Sequence, residues 1–594
     1  MKRIRAAAAA MAALLISLLF LGQAPPAKAD SYARISGAGS TWSQNAITQW
    51  QASVKKYGMT VDYAGTGSSD GRTQFANHTV DFAVSEIPYG TTDFGVREPP
   101  PSRGYAYMPI AAGGTSFMYN LKIGGHRVTN LRLSGSTLAK IFTGKITNWS
   151  DKQIGADNPG LTLPARKIIP VVRSDGSGTT AQFTLWMSKQ QSGLWNDYCK
   201  RVGKPVPCGL TSSYPTVPGS GFIAQSGSLG VSAYTRQNYA EGAITYVEYS
   251  YAVTTGFPVA KVLNADGYYT EPTASNVAVA LTQAQINQNK NSVQYLTQIL
   301  DNVYKYRDAR TYPLSSYSYM ILPTKLESPL TTDKGRTLGA FGYYFLCQGQ
   351  AQAQPLGFSP LPKNLVEAGF DQLKRIPGVQ AQNINLAGCH NPTFSTNGSS
   401  TTNTLAKNAP YPQACDKQGP TQCASGTGGA IHQPTPVKPQ ANGSSGGGSS
   451  SSGGNATGTG GSSNGAGSTG GTGGNGTGGT GGNGTGGTTG ATTGGTTSGT
   501  TAGTTGATTT GGTSTTGGAG QTVDPDTGLP AGDVGGTGAN QDIVASTVGV
   551  GNETFWGMRT WLMGLSALAL LLVVLAPPTI ARRLTRNGRR DGRA

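Results

Sequence analysis

Residues 171–180 read VVRSDGSGTT. Two β-branched residues lead into a fixed cation, Arg173, and four positions later Ser177 begins a Ser-Gly-Thr turn suited to opening a helix. Backbone N–H groups at a helix start carry partial positive charge and lack intrahelical partners. Beside a guanidinium they form a cradle for a tetrahedral anion. A Gly-Ser run by itself is more often a plain turn, so the reading depends on what else the chain repeats. Residues 37–42, GAGSTW, precede a stretch in which Trp42, Ala46, Ile47, Trp50 and Val54 recur at helical spacing. Residues 67–71, GSSDG, follow the strand-like Val61-Asp62-Tyr63 and precede a further helical run. Three segments that pass from strand through a Gly/Ser/Thr turn to a helix can aim their N-termini at one anion. The setting is an α/β architecture, where ligands sit beyond the carboxyl ends of strands.

In these motifs the chain resembles the substrate-binding proteins of bacterial phosphate-specific ABC transporters, a phosphate-binding family of the type II-like periplasmic binding proteins. The resemblance covers about residues 35–373, through GAGSTW, GTGSSDG (65–71), VDFAVSEIP (80–88), FTGKITNW (142–149), NPGLTLP (158–164), RSDGSGTT and AITYVEYSYA (243–252), in matching order. It implies two α/β lobes that close on a dehydrated phosphate and deliver it to a membrane permease. Position by position, the phosphate contacts it implies are Thr41, the backbone at Trp42, Ser68, Glu86, Arg173, Ser177, Gly178 and Thr179, with Asp175 orienting the guanidinium. It also implies that the chain crosses between lobes near 114–117 and again near 246–251. Lobe 1 is then about 35–113 plus 250–378, and lobe 2 about 114–249, within a binding domain of 30–378.

Two positions depart from the family pattern. Trp42 stands where Phe is common, a tolerable change because the contribution there is a backbone N–H. Glu86 stands where Asp is expected. That carboxylate is the group that accepts a hydrogen bond from an oxyanion still bearing a proton, and so tells phosphate from sulfate. Sites built on a required hydrogen bond reject analogues lacking it by roughly four to five orders of magnitude. The extra methylene means that the backbone sits farther back or the pocket takes a somewhat different anion; the bland alternative makes Glu86 a surface loop residue.

The chain ends set the expected compartment. Lys2, Arg3 and Arg5, an apolar run to Leu21 and then Ala27-Lys28-Ala29 read as a signal peptide, 1–29, with the mature chain starting at Asp30. Residues 560–580 form an apolar stretch long enough to cross a bilayer, and the tail 581–594 carries six Arg that should stay cytoplasmic. Between them, about 437–545 is Gly/Thr/Ser/Asn-rich and cannot bury a core. It reads as a disordered linker with a root-mean-square span of about 57 Å. The expectation is a single-pass cell-membrane protein with its binding domain outside, in a bacterium with one membrane. The formal charge of +17 shrinks once four Lys/Arg of the signal peptide and a net six of the C-terminal end are set aside. The remaining mild excess, without a basic run or nucleic-acid motif, points to anion steering and to no nucleic-acid partner.

Six cysteines outside the membrane suit an oxidising compartment and allow 15 pairings. Proximity favours Cys199 with Cys208 and Cys415 with Cys423, which leaves Cys347 with Cys389. A zinc site at Cys389-His390 competes, although no second ligand pair stands at metal spacing. Val293, Leu296, Ile299, Leu300, Val303 and Tyr304 have the spacing of an amphipathic helix, as do Leu338, Phe341 and Phe345. The Cys-bearing extension 379–436 lies beyond the resemblance and has no assigned role. A hydrolase is the enzymatic alternative, because GSSDG fits G-x-S-x-G, but no histidine of His78, His126, His390 and His432 lies in the matched motifs. The reading expects a binding protein without cofactor or metal, serving an ABC permease; a displayed anion sensor or adhesion protein is the other class.

Overall fold

The computed structural model describes residues 32–438. The signal peptide, nearly all of the expected linker, the stretch 560–580 and the basic tail lie outside the described residues.

Eight strands form the main sheet: β1 (Ile35–Gly39), β2 (Val61–Ala64), β3 (Phe82–Ser85), β4 (Tyr105–Tyr119), β5 (Ile169–Arg173), β6 (Ile223–Gln225), β7 (Ala243–Glu248) and β8 (Ser315–Pro323). Their order is β6-β5-β7-β4-β8-β3-β1-β2. The outer pairs β1/β2, β1/β3, β5/β6 and β5/β7 are parallel, and the central strands β8, β4 and β7 pair antiparallel. β4 joins two sub-sheets. Its first part, up to Gly114, pairs with β8, and from Thr115 onward it pairs with β7. The lobe crossing expected near 114–117 therefore falls inside one continuous strand, and the ladder hands over between two adjacent residues.

Among the described residues the helices in chain order are α1 (Gln44–Val54), α2 (Ser68–Ala76), α3 (Gly178–Gln190), α4 (Gly227–Thr235), α5 (Tyr249–Thr254), α6 (Ala274–Leu281), α7 (Thr332–Leu346), α8 (Lys363–Leu373) and α9 (Thr404–Lys407), with three more between β4 and β6. α1 buries Ala46, Ile47, Trp50 and Val54, the stripe its periodicity announces, and Trp50 stacks on Phe345 of α7 at 4.9 Å. In the second lobe Phe183 of α3 packs 5.3 Å from Phe117, 5.1 Å from Phe142 and 5.0 Å from Tyr246. This aromatic knot seats α3 on β4 and β7 and so fixes where its N-terminus points. Beyond β7, Tyr249, Tyr251, Ala252, Phe257 and Val259 share a buried cluster with Met118, Val171 and Val231, and Val259 bridges Met118.

One expected helix is absent. The stripe Val293 to Tyr304 folds as turns, a two-residue strand at Gln298–Ile299 paired with Gln285–Ile286, and a single 3-10 turn at Val303–Lys305. The side chain of Asn287 accepts from Asn289 N, and that of Asn289 accepts from Asn291 N. Leu296, at φ +66°, donates its N–H back to Asn287 O. Local Asn turns won the backbone here, as these side chains do when they compete with a helix. The helix expected at Leu338, Phe341 and Phe345 is α7.

The three disulfides are Cys199–Cys208, Cys347–Cys389 and Cys415–Cys423. Cys389 is thus no thiolate ligand, which removes the zinc reading. The extension is ordered and touches both lobes. Cys389 ties it to the end of α7, Asn391 Nδ2 and Thr393 Oγ1 donate to Leu361 O, and Ala406 of α9, with Ala409 just beyond it, packs against Ala278 and Val279 of α6. Farther on, Arg132 donates to Cys415 O and Thr421 O. Lys261 Nζ lies 2.8 Å from both oxygens of Asp416, and Thr427 Oγ1 donates to Val259 O. Val437 and Lys438, the expected start of the linker, are still docked: Lys438 N donates to Gly160 O.

Candidate anion site

Helix starts α2, α3 and α4 and the segment after β1 meet at the carboxyl ends of the parallel strands. Ser177 is the N-cap of α3, its Oγ accepting from Thr180 N at 3.1 Å, so its hydroxyl proton faces outward from the helix. Tyr246 OH lies 2.9 Å from Thr180 Oγ1 and accepts from Arg173 N, which pins the helix start to β5.

Glu86 is fully enclosed, not a surface loop residue. Ser40 Oγ lies 2.8 and 2.7 Å from its two carboxylate oxygens, Ser318 Oγ 2.7 Å from Oε1, and Ser68 Oγ 2.9 Å from Oε2. Gly178 N donates to Ser68 Oγ at 3.1 Å, linking α3 of one lobe to α2 of the other. Burial raises the Glu86 pKa, and the serine hydroxyls oppose that rise without cancelling it. A carboxylate offers about four acceptor positions, so three hydroxyls leave room for one more donor. Only glycine fits at 178, because a Cβ there would stand 1.9 Å from Glu86 Oε2.

Arg173 is buried and forked onto Asp175, with Nε 2.7 Å from Oδ1 and Nη2 paired to Oδ2. Burial alone would raise the Asp175 pKa, but the Arg173 hydrogen bonds and charge, with the Gly227 N–H, bring it below the ordinary carboxylate range. Nη1 turns away to Ser228 Oγ at 3.2 Å. Thr41 Oγ1 is 2.8 Å from that same oxygen. Thr179 Oγ1 is buried with no hydrogen-bond partner. At Trp42 the backbone N–H reaches Ser40 Oγ, while the indole ring leaves the site and packs edge-on to Phe358 at 5.6 Å.

The sequence-derived candidates gather around two hydrogen-bonded clusters: Glu86 with Ser68 and, through Ser68 and Ser40, Gly178 N and Trp42 N; and Arg173 with Asp175 and, through Ser228, Thr41. Ser177 caps α3 beside them, and Thr179 Oγ1 bonds to neither. Sequence reading missed Ser40, Ser228 and Ser318. Ser40 lay within GAGSTW, and Ser228 lies in SGSLG, again a strand, a Gly/Ser turn and a helix. Ser318 comes from the middle of β8, 232 residues from Glu86 in sequence, and carries no local signal. Ser69, the nucleophile position of the G-x-S-x-G pattern, has a buried hydroxyl without a partner, so no base is placed to activate it.

Glu248 ends β7 at the lobe junction. Its Oε2 accepts from Ser250 N at 2.7 Å, capping α5, whereas Oε1 is buried and unpaired. Burial pushes its pKa well up. A raised folded-state pKa contributes stability that is complete below the unfolded value and is lost as pH rises through the folded one. Glu248→Gln is therefore expected to raise the unfolding midpoint at about pH 8 and leave it nearly unchanged at about pH 4; equal shifts at both would detach Glu248 from the pH dependence.

A family model described as a PBP superfamily domain matches residues 24–348. The phosphate-binding protein PstS of Xylella fastidiosa (strain Temecula1) is 32% identical over 344 residues, 58% of this chain and 85% of that protein. PstS of Haemophilus influenzae is 30% identical over 358 residues, 60% of this chain and 96% of that protein. PstS 2 of Mycobacterium tuberculosis is 32% identical over 336 residues, 55% of this chain and 83% of that protein. A solved high-affinity periplasmic phosphate-binding protein, PfluDING, bound with phosphate, aligns with a TM-score of 0.45 at 18% identity, over 59% of this chain and 100% of that one. With more than half of its residues under the family model and most of each relative's length covered, the chain belongs to the PBP superfamily and, within it, to the family of the PstS proteins.

Proposed function

We propose that this chain captures inorganic phosphate outside the membrane and hands it to an ABC-type importer. The observation that carries this reading is the inter-lobe contact in which Gly178 N at the start of α3 meets Ser68 Oγ, itself bonded to the enclosed acceptor Glu86, with the buried cation Arg173 at the end of β5 and the unpartnered Thr179 hydroxyl on the same helix start. The phosphate-binding proteins among its relatives support it. Thr41, Trp42, Ser68, Arg173, Ser177, Gly178 and Thr179 supply donors, Glu86 accepts the proton of a hydrogen phosphate, and Asp175 holds the guanidinium. Lobe closure removes water, so each bond counts for more. No step requires catalysis. The lobes are about 35–113 with 250–378, and about 114–249. The apolar stretch 560–580 and the Arg cluster behind it support a membrane tether through the linker, which keeps the binding domain near the permease.

The test is calorimetric titration of the anion-stripped protein with phosphate and then sulfate. Tight phosphate binding without sulfate binding is expected, and no phosphate binding would remove the reading. Glu86→Gln retains the shape but can donate, so the phosphate-over-sulfate preference is expected to fall by about tenfold. An unchanged preference would place selectivity elsewhere.

A further inference from the structure

The turn before α4 is a fourth helix start at the site, and its role goes beyond the ligand set above. Ser228, fully buried, makes three contacts there. Its N–H donates to Thr41 Oγ1 at 3.0 Å, its Oγ accepts from Arg173 Nη1 at 3.2 Å, and Thr41 Oγ1 lies 2.8 Å from that Oγ. Gly227, one residue earlier, donates its N–H to Asp175 Oδ1 at 2.9 Å. Thr41 comes from the first lobe, and Ser228, Arg173 and Asp175 from the second.

The direction of these bonds follows from which groups can only donate. A guanidinium has no acceptor, so the Arg173–Ser228 bond runs from arginine to serine. A backbone N–H likewise only donates, so Thr41 Oγ1 already accepts one bond from Ser228 N. The Tyr251 hydroxyl, which donates to Thr41 O, also meets the Ser228 side chain; between the Ser228 and Thr41 hydroxyls themselves the proton has two placements. If Thr41 donates to Ser228, the serine oxygen receives two bonds and the threonine proton is spent. If Ser228 donates to Thr41, the threonine oxygen receives two bonds and its own proton is left for another acceptor. An oxyanion entering the cleft selects the second placement, because it accepts only.

We infer that Ser228 is a positioning residue of the anion site: it relays the hydrogen bond of Arg173 to Thr41 and turns the Thr41 hydroxyl into a donor aimed at the ligand. The chain runs from Arg173 Nη1–H to Ser228 Oγ–H to Thr41 Oγ1–H to an anion oxygen. Each bond polarises the next, so a charged head group strengthens a neutral hydroxyl one residue removed from it. Because the relay joins residues of the two lobes, moving them apart would break it. It therefore acts on release of the ligand more than on capture.

The inference rests on the phosphate reading, and its test separates the two. Inorganic phosphate is titrated into full-length wild type, Ser228→Ala, Thr41→Val and the double variant, with dissociation rates from stopped flow and unfolding midpoints without ligand. Ser228→Ala is expected to weaken binding by about tenfold, chiefly through faster dissociation, with the midpoint nearly unchanged. In the Thr41→Val background the same change is expected to cost less than about twofold, since the relay then has no end. Independent, multiplying losses would overturn the relay, as would a loss confined to association or matched by a lower midpoint. A wild type that binds no phosphate would remove the underlying reading together with the relay. Phosphate binding by wild type with uncoupled variants would remove the relay alone.

Discussion

Arg173→Ala is expected to weaken phosphate binding by about 100-fold or more. Truncating one member of a buried, hydrogen-bonded charge pair costs about 2–5 kcal/mol, and each 1.4 kcal/mol is a factor of ten. Two effects add here. The proposed site loses its buried cation, and Asp175 loses both hydrogen bonds of the guanidinium fork and keeps the Gly227 N–H. A buried carboxylate without its counterion then stands beside an entering anion. Arg173→Lys keeps the charge but cannot satisfy Asp175 and Ser228 together, so it is expected to fall between Ala and wild type. Titration calorimetry reads both, with thermal unfolding as the check on folding. Affinity within about threefold of wild type in the Ala variant would move the anion away from this pocket.

The second large effect is on stability. Asp416→Ala is expected to cost about 3 kcal/mol of unfolding free energy, because it takes from Lys261 the carboxylate it touches in a place where water barely reaches and leaves Glu271 as its remaining acidic neighbour. Replacing both partners, Lys261→Met with Asp416→Leu, removes the stranded charge and is expected to recover most of the loss. Urea denaturation measures the difference. A cost below about 1 kcal/mol for Asp416→Ala would make the extension an ornament on the fold, where the structure has it held by Arg132, by the Thr427 bond to Val259 O and by the Cys347–Cys389 disulfide.

Much of this was legible in the chain itself. The strand, turn and helix pattern at Arg173, Thr41 and Ser68 depends on local spacing, and local spacing survives folding. The helix expected at Val293 to Tyr304 failed because apolar periodicity does not register what Asn287 and Asn289 do to a backbone. The Glu86 environment was legible only in part: Ser68 and Ser40 lie in recognisable turns, but Ser318 comes from the middle of a strand far along the chain. No pattern within one segment can announce a partner that tertiary packing brings. The extension was opaque for a related reason. Its hold on the molecule is a set of single bonds to scattered carbonyls, with little periodic apolar surface to mark it.

Cys347 stands one residue before the end of the family model at 348, and its disulfide partner, Cys389, lies 42 residues farther on. A chain trimmed to the shared family boundary would therefore begin life with an orphan thiol at the end of α7. It would also leave the donors of Arg132 and the charge of Lys261 facing solvent. Such a fragment is set up to cross-link to its own copies through Cys347, and production in a reducing compartment would mask the fault until the first exposure to air. A fragment meant to fold as the protein does therefore has to carry the extension, with Cys389, Asp416 and the Cys415–Cys423 pair.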